Sequence, residues 1–544
     1  MAIALEQPVT SLPAPLDANE THPGLIANQR YRWLILLGLV VSAILEVMDV
    51  SILNVALPQM AGALGSTTTD IAWVSTAYLL ANVVVLPMTA WLAQRFGRKN
   101  YLVASVIIFT IARILCAFSG SLGWVIVWRL LQGAAGAALI STSQAVLVDI
   151  FPDEQQGLVQ SLFGLGLVAA PAIAPLLGGW LVDSYSWQML FLIHIPGALL
   201  SLYMISALFA DTSTPESRAS AGKLDAAGVA FLALGLGSLQ YVLEEGQRND
   251  WFSDAGILRF SILAVIGMTA LIIWELHPSN KSPVVNLRVY ANRGLWSAVV
   301  ISFVTGIGMY GVNYAFAVLV QGILGFTSIK SGMALLPLGI GSMVSLAIVA
   351  AVTNKVNPRV LIVTGLTVSA LGSWILGFNT LATDITDTAL PLGLVGFGIG
   401  MSILPVSIAA FAALRPSEAG DGAAQVGLGR QLGGSFGIAL LNTYISHMTD
   451  VHRAVMLEHF NRANAAFGHT VQGLAGLMVH HGHSWADSQQ AALAILYGSV
   501  ARTAVLKGYN SGFQVVALTF LACIILVPLL KAPKRGDAAP PMGH

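Results

Sequence analysis

Residues 33–57 read WLILLGLVVSAILEVMDVSILNVAL, and Glu46 and Asp49 are the only charges among these twenty-five positions. Coiled as a helix at 1.5 Å per residue, the run is about 37 Å long, enough to cross the roughly 30 Å hydrocarbon core of a bilayer. Thirteen more apolar runs follow, at 71–92, 101–120, 123–147, 158–181, 188–209, 225–244, 256–275, 295–320, 332–353, 360–379, 390–413, 424–446 and 511–531. The ends of the seventh and eighth are crowded with charge. Of the 544 residues 56% are hydrophobic and 10% charged, with mean hydropathy +0.76, whereas a soluble protein carries about 25% charged residues. The three or four soluble domains that this length would otherwise imply have no charged coat here. An all-α integral membrane protein with fourteen transmembrane helices is predicted.

Composition also removes several function classes. The 26 Lys and Arg cancel the 26 Asp and Glu, so no nucleic-acid footprint is expected. Cys116 and Cys523 both lie in apolar runs, which excludes a disulfide scaffold or a Cys-ligated zinc site. No Gly-x₄-Gly-Lys-Ser/Thr occurs in the chain, so it carries no P-loop for ATP.

Residues 1–30 hold Pro8, Pro13, Pro15 and Pro23 with Glu6, Asp17 and Glu20. Without a basic n-region they read as a disordered cytoplasmic tail rather than a cleavable signal, leaving the first span to target the chain. With the N-terminus placed in the cytoplasm, sixteen Lys and Arg fall on inside segments and three (Arg248, Arg259, Lys330) in short outside loops. This asymmetry predicts that both termini, including the tail 532–544, are cytoplasmic.

Two features recur about 260 residues apart. Gln94-Arg95-Phe96-Gly97-Arg98-Lys99 is echoed by Asn354-Lys355-Val356-Asn357-Pro358-Arg359, and Gly164-Leu165-Gly166 by Gly427-Leu428-Gly429. Both echoes fit two copies of a six-helix unit, 31–210 and 291–531, with two helices and their flanking loops inserted at 211–290. Parallel six-helix repeats are a transporter architecture with the substrate site between the halves near mid-membrane. Chance similarity between Gly-rich helices is the alternative.

Charge at the bilayer centre costs about 2.5–3.5 kcal/mol on insertion scales, so such residues face the bundle interior and pair. Glu46 and Asp49 are three apart and share a helix face. By helical rise Asp49 lies roughly 12 Å below the outer end of its span and Arg129 roughly 9 Å, with Arg113 at similar depth. An acidic pair and one or two arginines thus share a layer. Burial disfavours an ionised carboxyl and a nearby Arg favours it. A motion that moves the Arg would therefore let the acid bind a proton on one side and release it on the other; a fixed ion pair that only orients helices is the other reading. Span five strings together Gly164, Gly166, Ala169, Ala170, Pro171, Ala174, Pro175, Gly178 and Gly179. Small residues allow close helix approach and prolines remove donors, as suits a pivot between the halves or close packing alone.

These residues reach a family. Asp49-Val50-Ser51-Ile52-Leu53-Asn54-Val55-Ala56-Leu57-Pro58 resembles the first-helix motif of the fourteen-helix drug:proton antiporters of the major facilitator superfamily. Leu92 to Lys99 resembles the superfamily's second-to-third loop motif, and Arg129-Leu130-Leu131-Gln132-Gly133 its fourth-helix motif. Ala174-Pro175-Leu176-Leu177-Gly178-Gly179 is similar to the helix-five antiporter motif. Trp187 to Pro196 and Leu243 to Phe252 are similar to the EmrB-type branch. The resemblance spans about residues 30–531. It implies the superfamily's fold and coupling roles for Asp49 and Arg129, with a cytoplasmic gate at Arg95, Gly97 and Arg98. It further implies efflux of apolar drugs across the bacterial inner membrane, with a periplasmic adaptor of the EmrA type and an outer-membrane channel of the TolC type as partners. No cofactor is expected, the proton gradient being the energy source. The chain departs from the pattern at Gln94 (usually Asp), Ala90 (Gly), Ala174 (Gly) and His194 (Asn), and Arg113 is not part of it.

Residues 447–510 form a 64-residue outside loop. Val455, Leu457, Leu474, Leu477, Leu493 and Leu496 suggest amphipathic helices there, either a docking surface for the adaptor or a self-packed cap. Seven of the eleven histidines lie in this loop, among them His480, His481 and His483, yet no Cys or helical His-x₃-His pair completes a metal site. Gly433-Gly434-Ser435-Phe436-Gly437 matches Gly-x-Ser-x-Gly but lies in an apolar span rather than the strand-turn-helix setting a hydrolase needs. Gln132, Gln144, Gln240, Tyr310, Asn313, Gln321 and Arg430 are polar or aromatic residues at membrane depth, and so candidates for a largely apolar substrate cavity. The resulting expectation is a proton-coupled exporter of hydrophobic or amphipathic compounds. A transporter of one metabolite and a membrane-embedded sensor or enzyme are the rivals.

Overall fold

The computed structural model describes residues 28–53, 56–67, 70–211, 225–280, 283–352, 355–411, 414, 419–458, 465–480 and 484–530. Among them every regular element is helical. Expectations for the tails at 1–27 and 532–544, for Asn54, Asn354, His481 and His483, and for Arg218, Lys223, Lys281, Arg415, Lys531, Lys534 and Arg535 lie outside the described residues.

Eleven helices are long and apolar enough to cross a membrane, and the protein is a multi-pass membrane protein. They are α2 (Asp70–Phe96), α3 (Arg98–Ala117), α4 (Leu122–Ile150), α6 (Met189–Leu208), α7 (Ala226–Glu245), α8 (Ala255–Leu276), α9 (Arg293–Gly322), α10 (Ile329–Val352), α11 (Pro358–Leu376), α12 (Ile385–Ala410) and α15 (Trp485–Leu529). Three further long helices, α1 (Arg32–Leu53), α5 (Asp153–Ser184) and α13 (Ala419–Glu458), take the places of the first, fifth and thirteenth expected spans. Leucines, isoleucines and valines such as Val265, Ile273, Leu390 and Ile525 stand exposed on the outer faces, where lipid is their solvent.

Several span limits differ from the sequence reading. α2 tightens into a 3₁₀ turn at Leu86–Met88, around Pro87, and continues to Phe96. α6 is interrupted between Leu192 and Ile195, just ahead of Pro196, which cannot donate back into the helix. α9 contains a π-helical turn at Ile307–Val312. The largest correction concerns the 64-residue loop. α13 runs on to Glu458, α15 begins at Trp485, and α14 (Ala465–His480) packs against α15. The loop is therefore mainly extensions of the flanking helices, because residues 447–458 and 484–497 contain no Gly or Pro to stop them. Residues 28–30, within the stretch expected to be tail, are ordered against the bundle. Asn28 donates to the Ala210 carbonyl at 3.2 Å and accepts from Ala210 N–H at 2.8 Å, closing the end of α1 onto the end of α6.

Helix pairing repeats along the chain. α1 packs on α5, α2 on α4 and α3 on α4; correspondingly α9 packs on α13, α10 on α12 and α11 on α12. Glycines permit the closest of these approaches. A Cβ at Gly133 would press into the Tyr78 backbone between α4 and α2, and one at Gly396 into the Leu338 backbone between α12 and α10.

The two seams between the halves differ. α5 lies directly along α10, whereas α2 and α13 meet mainly near Leu86–Phe96 and are bridged by α7. Leu232 and Leu236 of α7 join Val83 and Met88 of α2 in one apolar cluster, with Leu428 and Leu432 of α13 packed against it. α7 in turn clasps α8 through Gly235 and Gly267, where a Cβ on Gly235 would lie 2.7 Å from Met268 N.

Candidate functional site

Helical spacing turns Glu46 and Asp49 of α1 toward α4, and the two acids meet different partners there. The Asp49 carboxylate accepts from a guanidinium nitrogen of Arg113 on one oxygen and from one of Arg129 on the other. Gln132 Nε2 adds a third donor at 2.9 Å. Asp49 and Arg113 are 1% exposed and Arg129 0%, so α1, α3 and α4 converge on a buried ionic cluster. Two cations share one anion.

Each arginine is held from behind. Arg129 Nε donates to the Val74 carbonyl of α2 at 2.8 Å, its Nη1 to Gln132 Oε1 at 3.0 Å, and its guanidinium carbon stands 4.5 Å from the centre of the Tyr78 ring. Gly133 makes this possible, because it lets α2 press against α4 beside the arginine. Arg113 is anchored on the interruption in α6. Its Nε donates to the Phe191 carbonyl at 3.1 Å, and Nη2 lies 2.7 Å from the Leu190 carbonyl and 2.6 Å from His194 Nδ1. Where the helix breaks, its carbonyls are available to a side chain.

Glu46 is buried among neutral donors. Asn82 Nδ2 donates to one oxygen at 3.1 Å and the Ile140 N–H to the other at 3.2 Å. Asn82 also reaches the Gly133 carbonyl at 3.4 Å. One helical turn thus separates a carboxyl facing two cations from a carboxyl facing an amide and a peptide N–H.

The other candidates fall in separate places. Gly97 has φ +86°, a conformation that favours glycine, and joins α2 to α3. Next to it Arg98 pairs with Asp149 at the end of α4, while Arg95 is exposed. Ala174, Gly178 and Gly179 are buried, and a Cβ on Gly178 would sit 3.1 Å from the Ile52 carbonyl of α1. The side chains of Pro171 and Pro175 lie outside the described residues; α5 runs as one helix through both.

The cavity candidates separate as well. Tyr310, in the π-helical turn, and Arg430 line a pocket between the halves with Val47, Ile140, Leu167, Met309, Leu346 and Ile403. Gln132 belongs to the Asp49 cluster. Gln240 ties α7 to α13 through Ser435 at 2.9 Å, and Gln321 binds Ser331 at 3.1 Å on the exposed side of α9. Gln144 and Asn313 are half-buried. Gly433, Gly434 and Gly437 pack α13 against α9, so the Gly-x-Ser-x-Gly run is a helix contact. Tyr78, Asn82 and His194 were not read as site residues. Asn82, a lone amide inside an apolar span, and His194, a lone imidazole in another, were detectable signals; the carbonyls of Val74, Leu190 and Phe191 carry none.

A model described as the Major Facilitator Superfamily matches residues 39–438. The multidrug export protein EmrB of Haemophilus influenzae is 28% identical over 502 residues, covering 92% of this chain and 96% of that protein. The probable multidrug resistance protein EmrY of Escherichia coli is 26% identical over 502 residues, again 92% of this chain and 96% of the relative. Among solved structures, the human organic anion transporter MFSD10 (TETRAN) superposes with a TM-score of 0.58 at 14% identity, over 92% of this chain and 99% of that one, a likeness of fold.

Proposed function

The chain belongs to the major facilitator superfamily, and on that premise we propose that it is a proton-driven exporter of hydrophobic and amphipathic compounds. One observation carries the reading: a single carboxylate, Asp49, binds cations from two other helices in a buried site. Protonating Asp49 cancels the charge that draws Arg113 and Arg129 together and leaves two like charges facing each other, which favours separation of α3, α4 and α1. Rocking of the bundle and proton uptake are thereby linked, and 100 mV acting on one proton supplies about 2.3 kcal/mol. Resemblance to multidrug export proteins supports a range of apolar substrates. The narrow space between the halves is lined by apolar side chains apart from Tyr310 and Arg430, the chemistry such substrates need, and the halves must part to admit a drug-sized molecule.

The excess of Lys and Arg on one side supports cytoplasmic termini, and the bacterial relatives support an inner-membrane location. On that orientation α14 and the ends of α13 and α15 project into the periplasm, where Val455, Leu477, Trp485 and Ile495 expose apolar surface for an adaptor that leads to an outer-membrane channel. Removing residues 465–480 is expected to abolish adaptor cross-linking while leaving insertion intact; undiminished cross-linking counts against the docking role.

The decisive experiment uses energised proteoliposomes. Adding apolar drugs should dissipate the pH gradient with the natural protein and leave it standing with Asp49→Asn inserted at equal density. Equal dissipation by both removes Asp49 from the mechanism.

A further inference from the structure

His194 stands at the interruption in α6, 4% exposed, with Nε2 buried and without a partner among the described residues. Its Nδ1 lies 2.6 Å from Arg113 Nη2 and 3.1 Å from the Leu190 carbonyl. Guanidinium has only donors to offer, so the short contact makes Nδ1 an acceptor and puts the imidazole proton on Nε2. The ring is then neutral, and the Leu190 carbonyl is left to Arg113.

From this we infer that His194 is a positioning residue that sets the proton affinity of Asp49 by holding Arg113 partly on α6. The inference rests on the proton-switch reading above. Arg113 divides its donors between two sides: one nitrogen faces Asp49, while Nε and Nη2 face the Phe191 and Leu190 carbonyls and the imidazole. Taking the imidazole acceptor away leaves a buried N–H seeking a partner, and Asp49 is the nearest anion. The guanidinium then commits more fully to the carboxylate and stabilises its ionised form, so protonation needs a lower pH. Around Asp49 the other titratable or charged groups are Glu46 on α1, Tyr78 on α2, Arg113 and Cys116 on α3, and Arg129 on α4; Arg430 of α13 acts on Glu46 through its field alone. α5, along the opposite side of α1, presents Gly166 and Gly178. None of these replaces an acceptor on α6.

Two amides separate the roles of the ring nitrogens. The Asn oxygen is two bonds from Cβ, as Nδ1 is, whereas the Gln oxygen is three bonds away, as Nε2 is. The test is an infrared pH titration of the purified, monodisperse full chain, following the protonated-carboxyl band that Asp49→Asn removes. His194→Asn should keep the midpoint within about a third of a pH unit of the natural protein. His194→Gln and His194→Leu should lower it by about one unit, a tenfold loss of proton affinity. Four equal midpoints, or an Asn variant that moves with the Leu variant, overturn the positioning role. A band present but insensitive to residue 194 leaves the proton switch standing and sinks only this inference. No Asp49 band at any pH sinks both.

Discussion

The two halves of the molecule pair their helices alike and fill their interiors differently. In the C-terminal half one large apolar cluster runs from Leu295 through Phe316, Ile362, Val395 and Phe513 to Leu530, beside a small one of Leu346, Val349, Leu361 and Leu404. In the N-terminal half the core is divided into two clusters of comparable size. Ile35, Leu39, Phe109 and Phe163 lie in one cluster, Ile52, Val74, Leu181 and Phe191 in another, and the Asp49, Arg113 and Arg129 side chains occupy the layer between them. Among the described residues no fully buried ionised side chain breaks the C-terminal core; its buried polar groups are hydroxyls and amides such as Ser342, Ser402 and Gln425. A hydroxyl can return its hydrogen bond to its own helix, as Ser342 Oγ does at 3.0 Å to the Leu338 carbonyl. A guanidinium, with five N–H donors, cannot satisfy them all on its own helix and must draw acceptors from neighbouring ones. The N-terminal half is thus the half whose packing depends on a charge.

Altering that charge should therefore produce the largest effect. Asp49→Asn leaves two buried arginines without an anion, a loss of about 3–5 kcal/mol by the behaviour of broken buried pairs. Thermal unfolding in detergent should show a large fall in midpoint, and the coupled-transport signal should vanish with it; a midpoint unchanged from the natural protein would mean the cluster is solvated after all. Next come the paired close approaches. Gly133→Val and Gly396→Val each force a side chain into a neighbouring backbone, and each should cost about 1–3 kcal/mol. Similar losses in the two halves would indicate that helix packing is equivalent in them, whereas a loss at Gly133 alone would trace the effect to displaced Arg129.

Glu46→Gln should change stability by only about 1 kcal/mol. The amide keeps an acceptor for Asn82 or Ile140, and among the described residues no cation is bonded to Glu46. Comparing Glu46→Gln with Asp49→Asn in the same unfolding assay separates the value of a buried acid from that of a buried ion pair. The smallest effect is outside the membrane. Lys330 at the start of α10 bonds Asp384 ahead of α12 at 2.9 Å, and this bond holds the Asp384 carboxyl below its ordinary range. A lowered folded-state value stabilises above the unfolded carboxyl's pKa, about 4, and the gain is lost as pH falls through the folded value. Asp384→Asn should thus show a small deficit at neutral pH that closes on acidification; a deficit that persists in acid would exclude the ion pair as its cause.

Much of this was readable from the chain. Glu46, Asp49 and Arg129 stand out because a charge in twenty apolar residues has few tolerable explanations, and two echoes about 260 residues apart suggested the six-helix repeat. The division of labour between the acids was not readable. Glu46 and Asp49 sit one turn apart, and either was an equally good partner for arginine until α2 brought Asn82 and α6 brought its carbonyls. The outer helices were underestimated because a hydropathy run ends where polar residues begin, while the helix continues until something breaks it.

The sequence alone determined the number and length of apolar runs and the charges that interrupt them, because the width of the hydrocarbon core and the cost of burying charge act on each run separately. Tertiary structure decided which way each helix turns, which carbonyls are free to hold an arginine, and that α7 lies across the α2–α13 seam. A helix apolar on every side carries no stripe to orient it, and a backbone acceptor is identical in every residue, so neither can be distinguished until neighbouring helices are in place.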